Sequence, residues 1–183
     1  MDDFITFQAY KTNMSILVDD KVFLKDKRLG DTLRQRGFGE QKGNELVLDL
    51  FEALYLFEKE KTHIEDAKTS KAVTEEELVK YSAKKIKNFY SKYQVFKDLR
   101  DRGFVVKTGF KFGFDFRVYP RGKKPGEAHS QWCINVTSQD DKYNFIEMSR
   151  MVRLAGNLKT KLLNAVVDSE NEINYYEVVR VTP

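Results

Sequence analysis

The sequence predicts an α+β domain followed by an α/β domain built around a mixed central sheet. Two capping boxes, beginning at Asp49 and Thr74, mark helix starts among short apolar segments in the first half. After Gly103 the apolar period changes from three or four residues to two, which indicates a change from helix to strand. We therefore place an N-terminal domain at residues 1–83 and a C-terminal domain at residues 84–183.

The N-terminal domain begins with two predicted stretches of strand, Phe4–Tyr10 and Ser15–Leu24, which are interrupted by charged residues. An apolar helix follows in DLFEALYLFEKE, with Asp49 as its N-cap. Residues 59–73 are charged and small, which indicates a surface linker before the helix that Thr74 caps.

The C-terminal domain opens with a helix predicted over Lys84–Arg102. Its apolar residues recur every three or four positions, at Ile86, Phe89, Tyr93, Phe96 and Leu99. We assign this aromatic stripe to the core rather than to base stacking. Gly103 stands where a helix C-cap belongs.

Alternating strands follow this helix. Apolar residues from Phe112 to Val118 share one face, and Tyr119 ends the strand on the other, polar face. A second strand runs from Trp132 to Val136, after the loop PRGKKPGEA, whose Pro and Gly residues favour turns. His129 lies at the end of that loop.

The remainder of the chain predicts a helix at about 143–159, a buried strand at 162–168, an acidic turn and a final strand in INYYEVVRV. The order of elements in the C-terminal domain is therefore helix, three strands, helix and two strands.

Composition favours an intracellular, cytoplasmic protein. Of the 183 residues, 41% are hydrophobic and 33% are charged, which is typical of a soluble globular chain. No apolar run approaches the roughly 20 residues that span a bilayer, and MDDFITF lacks the features of a signal peptide. Cys133 is the only cysteine, so no internal disulfide can form.

Signals for a metal or a nucleotide cofactor are absent from the sequence. One cysteine and two distant histidines do not match zinc-site spacing, and no glycine-rich phosphate loop occurs. We expect neither a metal nor another cofactor. A basic cluster does occur at Arg117, Arg121, Lys123 and Lys124; it fits either an anionic partner or a solvated loop.

Tyr119 and His129 suit metal-free cleavage of RNA. That reaction needs a base for the 2′-OH, an acid for the departing 5′ oxygen and a charge that stabilises the phosphate oxygens. Histidine can act as the acid, and tyrosine becomes a base when cations lower its pKa. Arg117 and Arg121 are the nearby cations. A surface-loop histidine without a catalytic role remains the alternative.

A long central motif resembles the archaeal tRNA-splicing endonucleases. It runs from Lys92 to Tyr119 within YSKYQVFKDLRDRGFVVKTGFKFGFDFRVYPRG, and EAHSQW follows. The segments LDLFEALYLFEKE and RLAGNLKTKLLNAVVD also resemble blocks of that family. The likeness covers most of the chain.

The resemblance implies a restriction-endonuclease-like catalytic domain and a defined reaction. Family members cut precursor tRNA at bulge-helix-bulge intron junctions, without a metal, and leave 2′,3′-cyclic phosphate and 5′-OH ends. Tyr119 would be the general base and His129 the general acid. Arg153 would stack on a flipped base, and we expect Arg117 and Arg121 to bind RNA as well.

The third catalytic residue departs from the family pattern. The family lysine lies eight positions before the Asp that ends the next strand, and counting back from Asp168 reaches Thr160. We assign the role to Lys161, which would swing in from the adjacent position. The alternatives are Lys159, or the loss of the charge stabiliser, which would make the chain slow or inactive.

The resemblance also implies assembly into a homotetramer, a dimer of dimers, or assembly with a related subunit. The acidic residues Asp168, Glu170 and Glu172 match a family loop that docks on a neighbouring subunit, although a solvated turn has the same composition. The strand YYEVVRV would pair with its own copy.

Two other functions compete with a self-sufficient endonuclease. Thr160 favours a structural subunit that orients RNA for a catalytic partner, whereas the retained Tyr119 and His129 oppose it. A metal-dependent DNA nuclease would need an acidic ligand in the strand QWCINV, which contains none.

Overall fold

The computed structural model describes residues 13–142 and 144–181, so the strand predicted at Phe4–Tyr10 lies outside the described residues. The chain divides into two compact units, one ending at Phe89 and one beginning at Tyr90, later than the boundary expected at residue 83. No helix in the described ranges is both long enough and apolar enough to cross a membrane.

The first unit is a mixed sheet with helices, as the sequence predicts. Its strands lie side by side in the order Glu40–Lys42, Glu45–Leu48, Lys21–Leu24, Met14–Val18 and His63–Asp66; the last is parallel to its neighbour, and the other neighbours are antiparallel. Both predicted capping boxes are present, at Asp49 and Thr74. The elements are β1 (Met14–Val18), β2 (Lys21–Leu24), α1 (Lys27–Gln35), β3 (Glu40–Lys42), β4 (Glu45–Leu48), α2 (Leu50–Glu58), β5 (His63–Asp66) and α3 (Glu75–Lys85).

Two boundaries in this half differ from the prediction. The predicted linker 59–73 contains β5, in which Ile64 is buried. The charged residues beside Ile64 are part of this strand because it pairs with β1. The helix predicted from Lys84 begins at Phe89 instead. Asn88 adopts a left-handed conformation (φ 56°) that interrupts the helix, although the apolar spacing continues across the break through Ile86.

The second unit contains the predicted order of helix, three strands, helix and two strands. Its strands lie side by side in the order Ile173–Val178, Lys161–Val167, Trp132–Ser138, Phe116–Tyr119 and Val105–Thr108; the second and third of these are parallel, and the other neighbours are antiparallel. The elements are α4 (Phe89–Asp101), β6 (Val105–Thr108), a 3₁₀ turn (Phe110–Phe112), β7 (Phe116–Tyr119), β8 (Trp132–Ser138), α5 (Phe145–Asn157), β9 (Lys161–Val167) and β10 (Ile173–Val178).

Helices cover both faces of this sheet. On one face, the Phe96 ring of α4 lies 5.9 Å from the Phe116 ring. On the other, Met151 of α5 packs in one cluster with Cys133. Because Cys133 pairs with Arg117 and side chains alternate along a strand, Arg117 and Tyr119 lie on the α5 face.

A buried ion pair explains part of the sequence motif. The Asp115 carboxylate lies 2.7 Å from Lys92 Nζ and also accepts a 2.8 Å hydrogen bond from the Val136 backbone N–H. Both charged side chains are mostly buried. Lys92 and Asp115 therefore tie α4 to the sheet and position the start of β7.

Candidate active site

Three chain segments meet at one end of the second sheet. Val118 pairs with Trp132, and Trp132 pairs with Lys161, so the end of β7 and the starts of β8 and β9 lie side by side. Tyr119 and Thr160 are each one residue beyond this row, toward the same edge. The loop that carries His129 connects β7 to β8 at that edge.

Tyr119 is almost fully buried, and its pKa is raised rather than lowered. Burial is the main cause, and the neighbouring Cys133 thiol acts in the same direction. The Arg117 guanidinium, 5.4 Å from the Tyr119 ring centroid, opposes the rise without cancelling it. We expected nearby cations to lower the pKa of Tyr119. Arg117 does lower it, but burial raises it by more, so the expected net decrease is wrong.

The loop that carries His129 is held by short-range hydrogen bonds. Its turns include a bond from the Lys123 N–H to the Pro120 carbonyl and one from the Glu127 N–H to the Lys124 carbonyl, both 3.0 Å. His129 is exposed at the end of this loop. The structure thus presents an accessible imidazole at the sheet edge where Tyr119 is buried.

Thr160 is fixed in place by the end of α5. Its N–H donates to the Ala155 carbonyl at 3.0 Å, and the Lys159 N–H donates to the Gly156 carbonyl at 2.9 Å. Together with the left-handed Lys159 (φ 53°), these bonds form a Schellman motif. The helix end is therefore fastened at Thr160, and Lys159 occupies a position that usually holds glycine.

Lys161 is not brought together with Tyr119. Its chain neighbour Leu162 pairs with Cys133, and both pack against α5 on the Tyr119 face, so Lys161 points to the opposite face. There its Nζ lies 2.9 Å from Glu177 Oε1. This geometry does not support the charge-stabilising role expected of Lys161, because side chains of a regular strand alternate between its two faces.

The three arginines expected to bind RNA occupy different surroundings. Arg121 stacks on Phe104, with its Cζ 5.0 Å from the ring centroid, and Arg153 is exposed on α5. Arg117 stacks on Phe112 at 4.5 Å. The alternation pattern placed Phe112 in a strand and missed this contact.

Two glycines position Phe112 over Arg117. A Cβ on Gly109 would lie 3.0 Å from the Phe114 carbonyl oxygen, and Gly113 is left-handed (φ 76°) at the end of the 3₁₀ turn. The paired glycines in KTGFKFG were the sequence signal for this turn, and they place Phe112 outside the strand.

In the acidic turn after β9, one of the three carboxylates accepts hydrogen bonds from the backbone of the turn itself. Asp168 Oδ1 accepts hydrogen bonds from the N–H groups of Glu170 (2.9 Å) and Glu172 (2.8 Å). Glu170 and Glu172 themselves are exposed. Asp168 therefore shapes the turn, and the two glutamates carry its accessible charge.

Cys133 is a fully buried, free thiol. Burial raises its pKa to about 11, and the charge of Arg117 and the Thr160 hydroxyl only moderate that rise. Within residues 13–142 and 144–181, no group of three His, Cys, Asp or Glu side chains is arranged to hold a metal ion.

Comparisons with known proteins match both halves of the chain to one family. Residues 89–175 match the family model of the tRNA intron endonuclease catalytic C-terminal domain, and residues 14–79 match that of its N-terminal domain. The chain is 38% identical to a tRNA-splicing endonuclease of Methanothermobacter thermautotrophicus, over 91% of this chain and 96% of that protein. It is 37% identical to one of Pyrococcus abyssi, over 88% and 92%. It is also 37% identical to one of Methanosarcina barkeri, over 95% of this chain but 50% of that longer protein.

Proposed function

Because the chain belongs to the tRNA intron endonuclease family, with both family domains, we propose that it is a tRNA-splicing endonuclease. It cuts precursor tRNA at bulge-helix-bulge intron junctions without a metal ion, and leaves 2′,3′-cyclic phosphate and 5′-OH ends. The catalytic domain is restriction-endonuclease-like, in keeping with a mixed five-stranded sheet covered by helices on both faces.

The observation that carries this proposal is the meeting of Tyr119, the His129 loop and Thr160 at one sheet edge. Tyr119 is buried and His129 is exposed at that edge, so a phenol and an imidazole are available to a phosphodiester that binds there. Base and acid must act on opposite sides of the phosphorus, because the attacking and leaving oxygens are in line.

The proposed reaction moves one proton at each end of the displacement. The 2′-oxygen attacks phosphorus while its proton passes to the Tyr119 phenolate. The bond from phosphorus to the 5′ oxygen breaks, and His129 donates a proton to that oxygen. The raised pKa of Tyr119 makes the phenolate scarce at neutral pH but strongly basic when it forms, and Arg117 favours its formation.

We propose that the protein works as a homotetramer, a dimer of dimers. β10 is an edge strand. Tyr176 within it, and Val179 and Val181 just after it, have exposed apolar side chains. Such an edge favours pairing with a second copy. The exposed carboxylates of Glu170 and Glu172 suit docking on a basic surface of another subunit.

A specific observation favours a second candidate function. The family resemblance implies a lysine at the position of Thr160, while Lys161 pairs with Glu177 on the opposite face and Lys159 ends α5 in a left-handed conformation. A chain without a charge stabiliser would bind precursor tRNA and support a catalytic partner subunit without cutting.

The test of the proposed function is cleavage of a bulge-helix-bulge precursor by His129→Ala. We expect a loss of roughly 10²–10⁴-fold, the usual contribution of a general acid, while RNA binding persists. Glu127→Ala, in the same loop, is the matched control, since Glu127 makes only a 3.4 Å pair with Lys124. A fully active His129→Ala enzyme would remove His129 from the mechanism.

A further inference from the structure

Arg117 has no anionic partner among the described residues. It is partly buried, and no carboxylate of the described residues lies within ion-pair distance of it. Its cross-strand neighbours are Cys133 on β8 and a second cation, Lys107, on β6. A partly buried guanidinium without an anion is unfavourable, and a bound negative charge would stabilise it.

Two buried polar atoms on this face lack hydrogen-bond partners among the described residues. They are Arg117 Nε and Thr160 Oγ1. A contact with the Thr160 hydroxyl lowers the pKa of the Cys133 thiol, but sulfur is a weak acceptor and the contact does not have ordinary hydrogen-bond geometry. Buried donors without partners are rare in folded proteins, and each calls for an explanation.

Phe112 holds the Arg117 guanidinium beside Tyr119. The guanidinium carbon lies 4.5 Å from the Phe112 ring centroid and 5.4 Å from that of Tyr119. Stacking on aromatic rings leaves the edge of a guanidinium, where its N–H donors lie, available for a phosphate. The 3₁₀ turn and its two glycines therefore aim a preorganised cation at the place where the reacting phosphate would lie.

We propose that Arg117, assisted by the Thr160 hydroxyl, binds the non-bridging oxygens of the scissile phosphate and stabilises their charge during cleavage. This inference rests on the proposed function. Arg117 then performs the task for which the family uses a lysine, from β7 rather than from the start of β9. An arginine suits the task because its fork of donors matches two phosphate oxygens.

The kinetic test compares Arg117→Gln with Arg150→Gln, whose side chain is exposed and makes only a loose 3.9 Å contact with Glu147. At saturating enzyme, Arg117→Gln should slow single-turnover cleavage by about 10²–10³-fold, the worth of one oxyanion donor. The dissociation constant for RNA should change little. A residue that only binds RNA would weaken binding and leave the saturated rate intact. Thr160→Val should slow the saturated rate by about tenfold, as expected for one hydrogen bond.

A rescue variant sharpens this test. Thr160→Lys places a cation on the Tyr119 face, so the double variant Arg117→Gln/Thr160→Lys should regain at least about tenfold over Arg117→Gln alone. Thermal unfolding of every variant checks that each is folded. Wild-type rates in Arg117→Gln, when wild type cleaves and needs His129, would overturn this inference and leave the proposed function standing.

Binding of inorganic phosphate tests Arg117 without any cleavage. In a ¹⁵N–¹H spectrum of the wild-type protein, the Arg117 Nε–H resonance, assigned by its loss in Arg117→Lys, should shift saturably with phosphate. The shift should be weaker in Thr160→Val. An unmoved resonance would overturn the anion site even if Arg117→Gln fails to fold. A shift in a protein that does not cut precursor tRNA would support the anion site and count against the proposed function alone.

Discussion

Lys161 Nζ lies 2.9 Å from Glu177 Oε1, on the sheet face opposite Tyr119. The pair is exposed, so it contributes little to stability. We predict that Lys161→Met leaves both the single-turnover cleavage rate and the melting temperature nearly unchanged. Glu177→Gln, which releases Lys161 without removing it, is the control. A large loss of cleavage in Lys161→Met alone would mean that Lys161 reaches the phosphate after all.

Lys159 carries the left-handed position that ends α5. Glycine adopts this conformation without steric cost, so Lys159→Gly should raise the free energy of unfolding by about 0.5–1 kcal/mol. Cleavage should be unaffected. Urea denaturation measures the gain, and Lys159→Ala, which keeps a Cβ, should show much less of it. Loss of cleavage in both variants would assign Lys159 to the site.

The ion pair between Lys92 and Asp115 supports the sheet from which Tyr119 projects. Asp115→Ala leaves a mostly buried ammonium without its anion, so we predict a loss of about 3–5 kcal/mol in the free energy of unfolding. The double variant Lys92→Met/Asp115→Ala should lose less than the sum of the two single variants. Additive losses in chemical denaturation would show that the two groups do not interact.

The Cys133 thiol makes the free energy of unfolding decrease at alkaline pH. Its pKa rises from 9.0 to about 11 in the folded protein, because burial disfavours the thiolate. As pH rises, the thiol therefore ionises in the unfolded chain before it ionises in the folded protein. Its contribution to the free energy of unfolding is fully present below pH 9 and is lost progressively as pH rises toward 11. Cys133→Val should make the decline of melting temperature over this range shallower. Native Cys133 should also resist iodoacetamide at neutral pH, and rapid alkylation of the folded protein would contradict the assignment.

Sequence patterns predicted much of this molecule because its elements follow local rules. The capping boxes at Asp49 and Thr74 fix helix starts through side-chain bonds three residues apart, and such bonds are visible in sequence. The position of Tyr119 at the end of a strand followed from simple alternation.

Features that depend on distant partners were not predictable in this way. β5 is a strand because β1 lies beside it, not because its own residues favour one. The face that Lys161 occupies depends on the register across three strands, and spacing from Asp168 does not reveal it. The stacking of Phe112 on Arg117 arises from a turn whose glycines interrupt the alternating pattern.

We propose that this chain alone cuts RNA with Tyr119 and His129 and without a lysine at position 160. The most direct measurement is incubation of the purified chain in EDTA with a precursor tRNA that contains a bulge-helix-bulge intron, followed by analysis of the fragment ends. We predict two cuts, each leaving a 2′,3′-cyclic phosphate and a 5′-OH, and no cutting by Tyr119→Phe. Tight binding without cleavage, or cleavage that requires a divalent metal and leaves 3′-OH ends, would show that this chain is not a self-sufficient, metal-free endonuclease.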